Sequence, residues 1–353
     1  RLRGGGPSSV AASIPRVGFG LYKTAPEATT EAATLALDAG VRLFDTAASY
    51  GNEAELGRAL RAWTSSSSSS SASASSSSSS SGAGVGGQGQ GRREELFVAT
   101  KLSNADQSKD PRAVKGALKA SLQRLELDYV DSYLIHSPLP GRERRLASWA
   151  ALLELRDEGL CRSVGVANFG RRHLDELAAE FGDAGLPQTI QLELSPFNQH
   201  RELVGWCTER QIVVECAAWS KLSGEFNWGG DDNKAALEAL AKAHGATKAQ
   251  VLVRWAAQRG FVPLPRSGIG SEAERLAIRQ NSARGVRGRG WESKRATHGS
   301  LITRDWVGGP LSAKEMARLD AMDQQTRAGR LGRVDGWAEG DIAGPEWDPT
   351  LVV

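Results

Sequence analysis

Residues 16–24, RVGFGLYKT, decide between two architectures that the remainder of the chain would serve equally well. A doubly wound open sheet that holds a dinucleotide turns from its first strand into its first helix on GxGxxG, because the backbone there lies against a pyrophosphate. This turn offers only Gly18 and Gly20. Beyond it, short apolar or β-branched runs recur: VRLF (41–44), LFVAT (96–100), YVDSYLI (129–135), RSVGVA (162–167), TIQLEL (189–194), IVVECA (212–217) and FVPLP (261–265). With the first they make eight runs of the kind that parallel strands buried on both faces show. Amphipathic helical stretches lie between them, at Glu31–Ala39, Glu53–Arg61, Pro111–Leu125, Leu146–Glu158, Arg171–Phe181 and Lys234–His244. Asp110 is placed to cap the third of these, with Pro111 in its first turn. Eight strand–helix units without the dinucleotide turn predict an α/β chain folded as a closed (β/α)8 TIM barrel, a single domain with disordered inserts.

Two segments stand apart from this alternation. From Ser65 to Ser81, fifteen of seventeen residues are serine, and a Gly/Gln-rich stretch follows to Gly91. Such a run has no apolar surface to offset the entropy of ordering it, so 65–91 reads as a disordered insert. The second, 282–309, carries Arg284, Arg287, Arg289, Lys294, Arg295 and Arg304 against Glu292 and Asp305, and reads as a basic loop insert. The barrel is expected over 11–64 and 92–281 with 310–330, and 331–353 as a C-terminal tail near the substrate site.

Composition excludes several classes of function. Lys+Arg number 44 and Asp+Glu 41 among 353 residues, a net charge of +3, and the basic insert accounts for all of that excess. No basic face remains for nucleic acid, and no run approaches the ~20 apolar residues that span a bilayer. Cys161, Cys207 and Cys216 show no metal-ligand or disulfide spacing, so no metal is expected and a reducing, cytoplasmic setting is. The chain opens on Arg1 rather than Met, which reads as an incomplete N-terminus and keeps an organellar address open.

In a barrel, chemistry gathers where the strands end. Asp45 stands at the end of the second strand, with Tyr50 on the loop after it; Lys101 ends the third strand and His136 tips the fourth. Together these four can move a proton through a phenol. Free tyrosine, with a pKa of ~10, is a poor acid near neutrality. An adjacent ammonium stabilises its phenolate, and a carboxylate behind the ammonium keeps that cation charged and in place. A histidine within reach orients a carbonyl oxygen, the atom that must be protonated when a hydride adds to an aldehyde or ketone.

The stretches ALDAGVRLFDTAASYGNEAELGRAL (36–60), FVATKLSN (97–104), YLIHSP (133–138), SVGVANF (163–169) and PRS (265–267) resemble the signatures of the aldo-keto reductase family across essentially the whole chain outside the two inserts. The resemblance implies a catalytic tetrad of Asp45, Tyr50, Lys101 and His136, with Tyr50 as general acid. It also implies NADPH/NADP+ as the cofactor, extended on the barrel rim without a GxGxxG turn. Asn168 and Gln191 match the positions that hold the nicotinamide carboxamide, and Trp219 the aromatic residue that stacks on its ring. Ser220 and Leu222 match the loop over the pyrophosphate. Arg266 and Ser267 match the pair at the adenosine 2′-phosphate, with Arg275 or Arg279 as a further arginine and Asn281 near the adenine. Tyr22, with His136, is expected to bind substrate, and Trp228 and the residues near Trp337 to extend an aromatic wall. Ala167 stands where the family usually has serine and Lys221 where it often has proline, and VVECAAWS is about two residues longer than is usual there. These departures bear on cofactor affinity and substrate choice. The expected protein is therefore a monomeric NADPH-dependent reductase of a small-molecule carbonyl, with neither nucleic acid nor membrane as partner. A non-catalytic nucleotide-binding regulatory subunit is the alternative, disfavoured because a pure binding module needs no acid.

Overall fold

In the computed structural model of the chain, which describes residues 14–65, 92–217, 230–265 and 310–323, eight strands hydrogen-bond in chain order and every pair is parallel. They are β1 (Phe19–Gly20), β2 (Leu43–Asp45), β3 (Phe97–Leu102), β4 (Val130–Ile135), β5 (Cys161–Ala167), β6 (Thr189–Glu193), β7 (Val213–Ala217) and β8 (Val262–Pro263). The Gly18 amide donates to Pro263 O at 2.9 Å and the Gly20 amide to Pro265 O at 3.0 Å, joining the last strand to the first. The sheet closes into the expected (β/α)8 barrel.

The helices among the described residues are α1 (Pro26–Asp38), α2 (Glu53–Ser65), α3 (Pro111–Leu125), α4 (Arg142–Asp157), α5 (Arg171–Phe181), α6 (Arg201–Glu209), α7 (Gly230–Ala243), α8 (Lys248–Gln258) and α9 (Ala313–Asp320). Two match their expected bounds, α3 and α5. Asp110 caps α3, accepting from the Arg112 amide at 2.9 Å. The start of α1 falls five residues before Glu31 because Pro26 occupies its first turn, where a fixed φ favours helix and no amide hydrogen is missed. Ser65, counted with the serine run, is the last residue of α2. The rest of 65–91, the insert 282–309 and the tail 331–353 lie outside the described residues. No helix among those described is long and apolar enough to cross a membrane.

Side chains alternate across each strand, so two cores form. Phe44, Val98, Tyr133, Val164, Val166, Ile190 and Val214 face outward and pack under the helices with Leu56, Leu60, Leu118 and Trp149. Inside, Ile14, Leu43, Phe97, Val262 and Leu264 seal the floor, with Val213 against them. Ala99, Leu134 and Ala167 form a layer of their own within the barrel. Two residues further along the same strands, the same interior face is occupied by Asp45, Lys101, Glu215 and His136 (two beyond Leu43, Ala99, Val213 and Leu134). Register alone brings these polar groups to one mouth.

Gly165 shows how tightly the interior is filled. A Cβ there would lie 2.2 Å from Thr189 Oγ1 and 2.8 Å from Thr189 O, a backbone atom that cannot yield. Gly165→Ala should therefore cost about 1–3 kcal/mol by overpacking. Gly116, on α3 with nothing within 4 Å of its Cβ position, should respond oppositely to the same change, gaining about 0.5–1 kcal/mol from better helix propensity. Urea melts of both variants beside the wild type check the pair of signs.

Candidate active site

The mouth is organised around the Lys101 ammonium, which is 0% exposed. Its Nζ donates to Asp45 Oδ1 at 2.7 Å, to Thr46 O at 2.9 Å and to Tyr50 Oη at 3.4 Å. An ammonium has three hydrogens, and all three are engaged. Tyr50 stands on a single 3-10 turn, Ala48–Tyr50, that follows β2 and ends at Gly51. Gly51 has φ 68°, a left-handed conformation that a Cβ would strain. Next to it, the buried Asn52 accepts from Thr46 Oγ1 at 2.7 Å and donates to Leu21 O and Thr24 O, each at 3.0 Å. That amide ties the loop after β2 to the loop after β1 and sets the Tyr22 ring 5.1 Å from the Tyr50 ring.

Tyr50 stands against Asp45 and Tyr22 as well as Lys101. Desolvation, with Asp45 and Tyr22 adding to it, raises the phenol well above its usual 10. The resting group is a neutral acid. Because the phenol oxygen accepts from Lys101, its own hydrogen is available to another acceptor, and the ammonium is in place to stabilise the phenolate left when that hydrogen departs. His136 lies beside it, with ring centroids 5.5 Å apart. Burial, reinforced by Lys101, pulls its imidazole well below 6.5, so the ring is neutral. Ser49 Oγ is 3.3 Å from His136 Nδ1. A serine hydroxyl donating there leaves the ring hydrogen on Nε2, the tautomer that can donate to a carbonyl oxygen.

Asn168 follows β5 and Gln191 lies within β6. Asn168 has φ 60°, which asparagine tolerates better than other side chains, and its Nδ2 donates to His136 O at 3.0 Å. Gln191 Nε2 donates to Asp45 Oδ1 and to Glu215 Oε2, both at 2.9 Å. Among the described residues, no donor reaches the side-chain oxygen of either amide. Ala167, at the end of β5, adds no hydroxyl to them.

Two members of this cluster escaped the sequence reading. Ser49 sits in AASYG beside the tyrosine that drew notice. Glu215 interrupts VVECA, an otherwise apolar strand, and an acid two residues beyond Val213 on the interior face was the available signal. Trp219, Ser220, Leu222, Trp228, Arg266, Ser267, Arg275, Arg279, Asn281 and Trp337 lie outside the described residues. No group of three His, Cys, Asp or Glu residues that could hold a metal occurs among those described. Cys161, Cys207 and Cys216 are buried thiols, none of them in a disulfide.

Glu215 is 1% exposed, and its Oε1 has no hydrogen-bond partner among the described residues. Desolvation, aided by Asp45, pushes it up to about 7, against the opposing pull of Gln191 and Lys101. An unfolded chain releases this proton near 4.5. Between those two values the folded state holds a proton that the unfolded state has lost, so this group makes stability fall as pH rises through the window. Glu215→Gln fixes the neutral form. Relative to wild type it should gain thermal stability at about pH 8, by as much as ~3 kcal/mol, and little at about pH 5. Melting temperatures of both proteins at the two pH values check this; a gap that does not change with pH counts against a perturbed carboxyl.

The comparisons with known proteins agree with one another. The model of the Aldo/keto reductase family matches residues 16–278. The chain is 39% identical over 255 residues to an aldo-keto reductase of Mycolicibacterium smegmatis, covering 72% of this chain and 80% of that one. It is 38% identical over 267 residues to the putative methylglyoxal reductase DkgA of Salmonella typhi, covering 75% and 84%. Among solved structures, an aldo/keto reductase from Brucella melitensis superposes with a TM-score of 0.65 at 28% identity, covering 88% of this chain and 95% of its own. A barrel of eight parallel strands with a buried Asp–Lys pair, a phenol and an imidazole at its mouth thus belongs to the aldo/keto reductase family, oxidoreductases acting on carbonyl groups.

Proposed function

We propose that the protein is an NADPH-dependent reductase that converts aldehydes or ketones to alcohols, with Tyr50 as the general acid. The observation that carries this reading is the contact of the protonated Tyr50 hydroxyl with a fully buried Lys101, beside a neutral His136. His136 orients the substrate oxygen, Tyr50 delivers its proton to that oxygen, and Lys101 holds the phenolate until solvent reprotonates it. Asp45 pairs with the ammonium and aims it. Methylglyoxal, which names several relatives, is the first carbonyl to try, and Tyr22 walls the pocket on the side of Tyr50.

The residues present fit a nicotinamide dinucleotide. Asn168 and Gln191, from the adjacent strands β5 and β6, offer two amide oxygens that no described donor engages. A primary carboxamide has two N–H groups to give them. When bound, the nicotinamide supplies the hydride. Following the family resemblance, Trp219 stacks on its ring and Ser220 and Leu222 cover the pyrophosphate. Arg266, Ser267 and Arg275 take the 2′-phosphate, and Asn281 the adenine. The protein acts in this reading as a cytoplasmic monomer.

Two measurements test the assignment. Tyr50→Phe should lower the rate of methylglyoxal reduction by ~10²–10⁴, the contribution of a general acid, while NADPH affinity stays near that of wild type; turnover at the wild-type rate removes Tyr50 from the chemistry. Arg266→Ala should weaken NADPH about tenfold to a hundredfold, as loss of hydrogen bonds to a charged group does, and leave NADH unchanged. Quenching of tryptophan fluorescence by each cofactor reads both constants, and equal losses for the two cofactors would take Arg266 out of the phosphate site.

A further inference from the structure

Two carboxylates from different strands grip one amide nitrogen. Asp45 on β2 and Glu215 on β7 each accept from Gln191 Nε2 on β6 at 2.9 Å. An amide side chain turns over at little intrinsic cost, and its surroundings decide which end is nitrogen. With two carboxyl oxygens accepting from it, the nitrogen is the end that fits there, since the flipped amide would set an oxygen against the Asp45 carboxylate and break both hydrogen bonds. The amide oxygen is thereby turned away from the carboxylates. Asp45 has other duties, accepting from Lys101 as well. Among the described residues the Glu215 side chain has no other hydrogen bond: its Oε1 is buried and unpartnered, on a residue 1% exposed. A carboxylate so placed costs stability, and an apolar residue at its position would extend the packing around Val213 and Val262.

We propose that Glu215 is a positioning residue for the cofactor: by holding the Gln191 nitrogen it presents the Gln191 oxygen to the nicotinamide carboxamide. This rests on the nicotinamide reading above. Glu215 touches neither substrate nor the reacting atoms in this scheme and acts through Gln191 alone. The groups that bear on its charge are Asp45 on β2, Lys101 on β3 and the Gln191 amide on β6. On β8 its register partner is Val262, which does not titrate. An ionised Glu215 is the stronger acceptor, so cofactor affinity should rise with pH as it loses its proton.

The test uses the full chain as wild type, Glu215→Leu and Glu215→Gln, with dissociation constants for NADPH, for NADH and for 2′-phospho-ADP-ribose, which lacks the nicotinamide. Glu215→Leu should weaken NADPH and NADH alike, each by about tenfold, equivalent to ~1.4 kcal/mol, and leave the fragment within about twofold. Glu215→Gln keeps an acceptor oxygen of the same shape, so its loss should be smaller, and the rise in NADPH affinity between about pH 6 and pH 8 seen in wild type should vanish. Should the leucine variant fail to fold, the pH profile of the glutamine variant decides. Equal weakening of the fragment and the whole cofactors, or a pH step that survives in Glu215→Gln, overturns the proposal. If wild type binds both cofactors and Glu215→Leu binds them as tightly, the proposal alone fails. If wild type binds neither, the nicotinamide reading fails and takes this proposal with it.

Discussion

A charged lysine with no access to water is the constraint around which the mouth of this barrel is built. Three acceptors, the Asp45 carboxylate, the Thr46 carbonyl and the Tyr50 hydroxyl, replace the hydration that the Lys101 ammonium gives up on burial. Each acceptor drags a further requirement behind it. Thr46 must continue straight out of β2, Tyr50 must return over the mouth on its short turn, and Gly51 and Asn52 must hold that turn in place. Removing Asp45 would leave a buried cation with two neutral partners, a far worse arrangement than an exposed lysine that loses one.

Packing beneath the polar layer serves the same end. The inner layer of Ala99, Leu134 and Ala167 is made mainly of small residues, and Gly165 is held to a hydrogen by Thr189. Larger side chains, Leu43, Phe97, Val262 and Leu264, are kept to the floor. A barrel of eight strands has little interior volume to spend, and this one fills its base with bulk and leaves room above for ionisable groups and their partners.

The fold was legible because eight apolar runs and their helices carry period and length, which are local properties. Asp45, Lys101 and His136 were legible because strand ends can be counted and charged residues there are conspicuous. The electrostatics of Tyr50 were not: the sequence marks it as the acid, but only packing shows the desolvation that raises its phenol. Glu215 was missed for a related reason. Its significance lies in contacts across the barrel, to a Gln191 24 positions away along the chain and through it to Asp45, 146 positions from Gln191. A one-dimensional reading that sorts strand residues by hydrophobicity has no means of pairing them. Helices α6, α8 and α9 went unnamed among short apolar stretches; capping boxes at Thr247 with Gln250 and at Ser312 with Glu315 mark the starts of α8 and α9.

The barrel is not equally stitched around its circumference. From β3 to β7 the strands are five to seven residues long, whereas β1 and β8 have two residues each and meet through the amides of Gly18 and Gly20. Resistance to local opening follows the density of such bonds and of buried contacts. The wall is thus a stiff arc closed by a thin seam. Lys101 and His136 stand on the stiff arc or directly at its end, where their spacing is fixed by many neighbours at once. Tyr22 follows one lip of the seam and Pro265 the other. Amide exchange should find the seam breathing first, so that the wall yields beside Tyr22 while Lys101 and His136 keep their spacing.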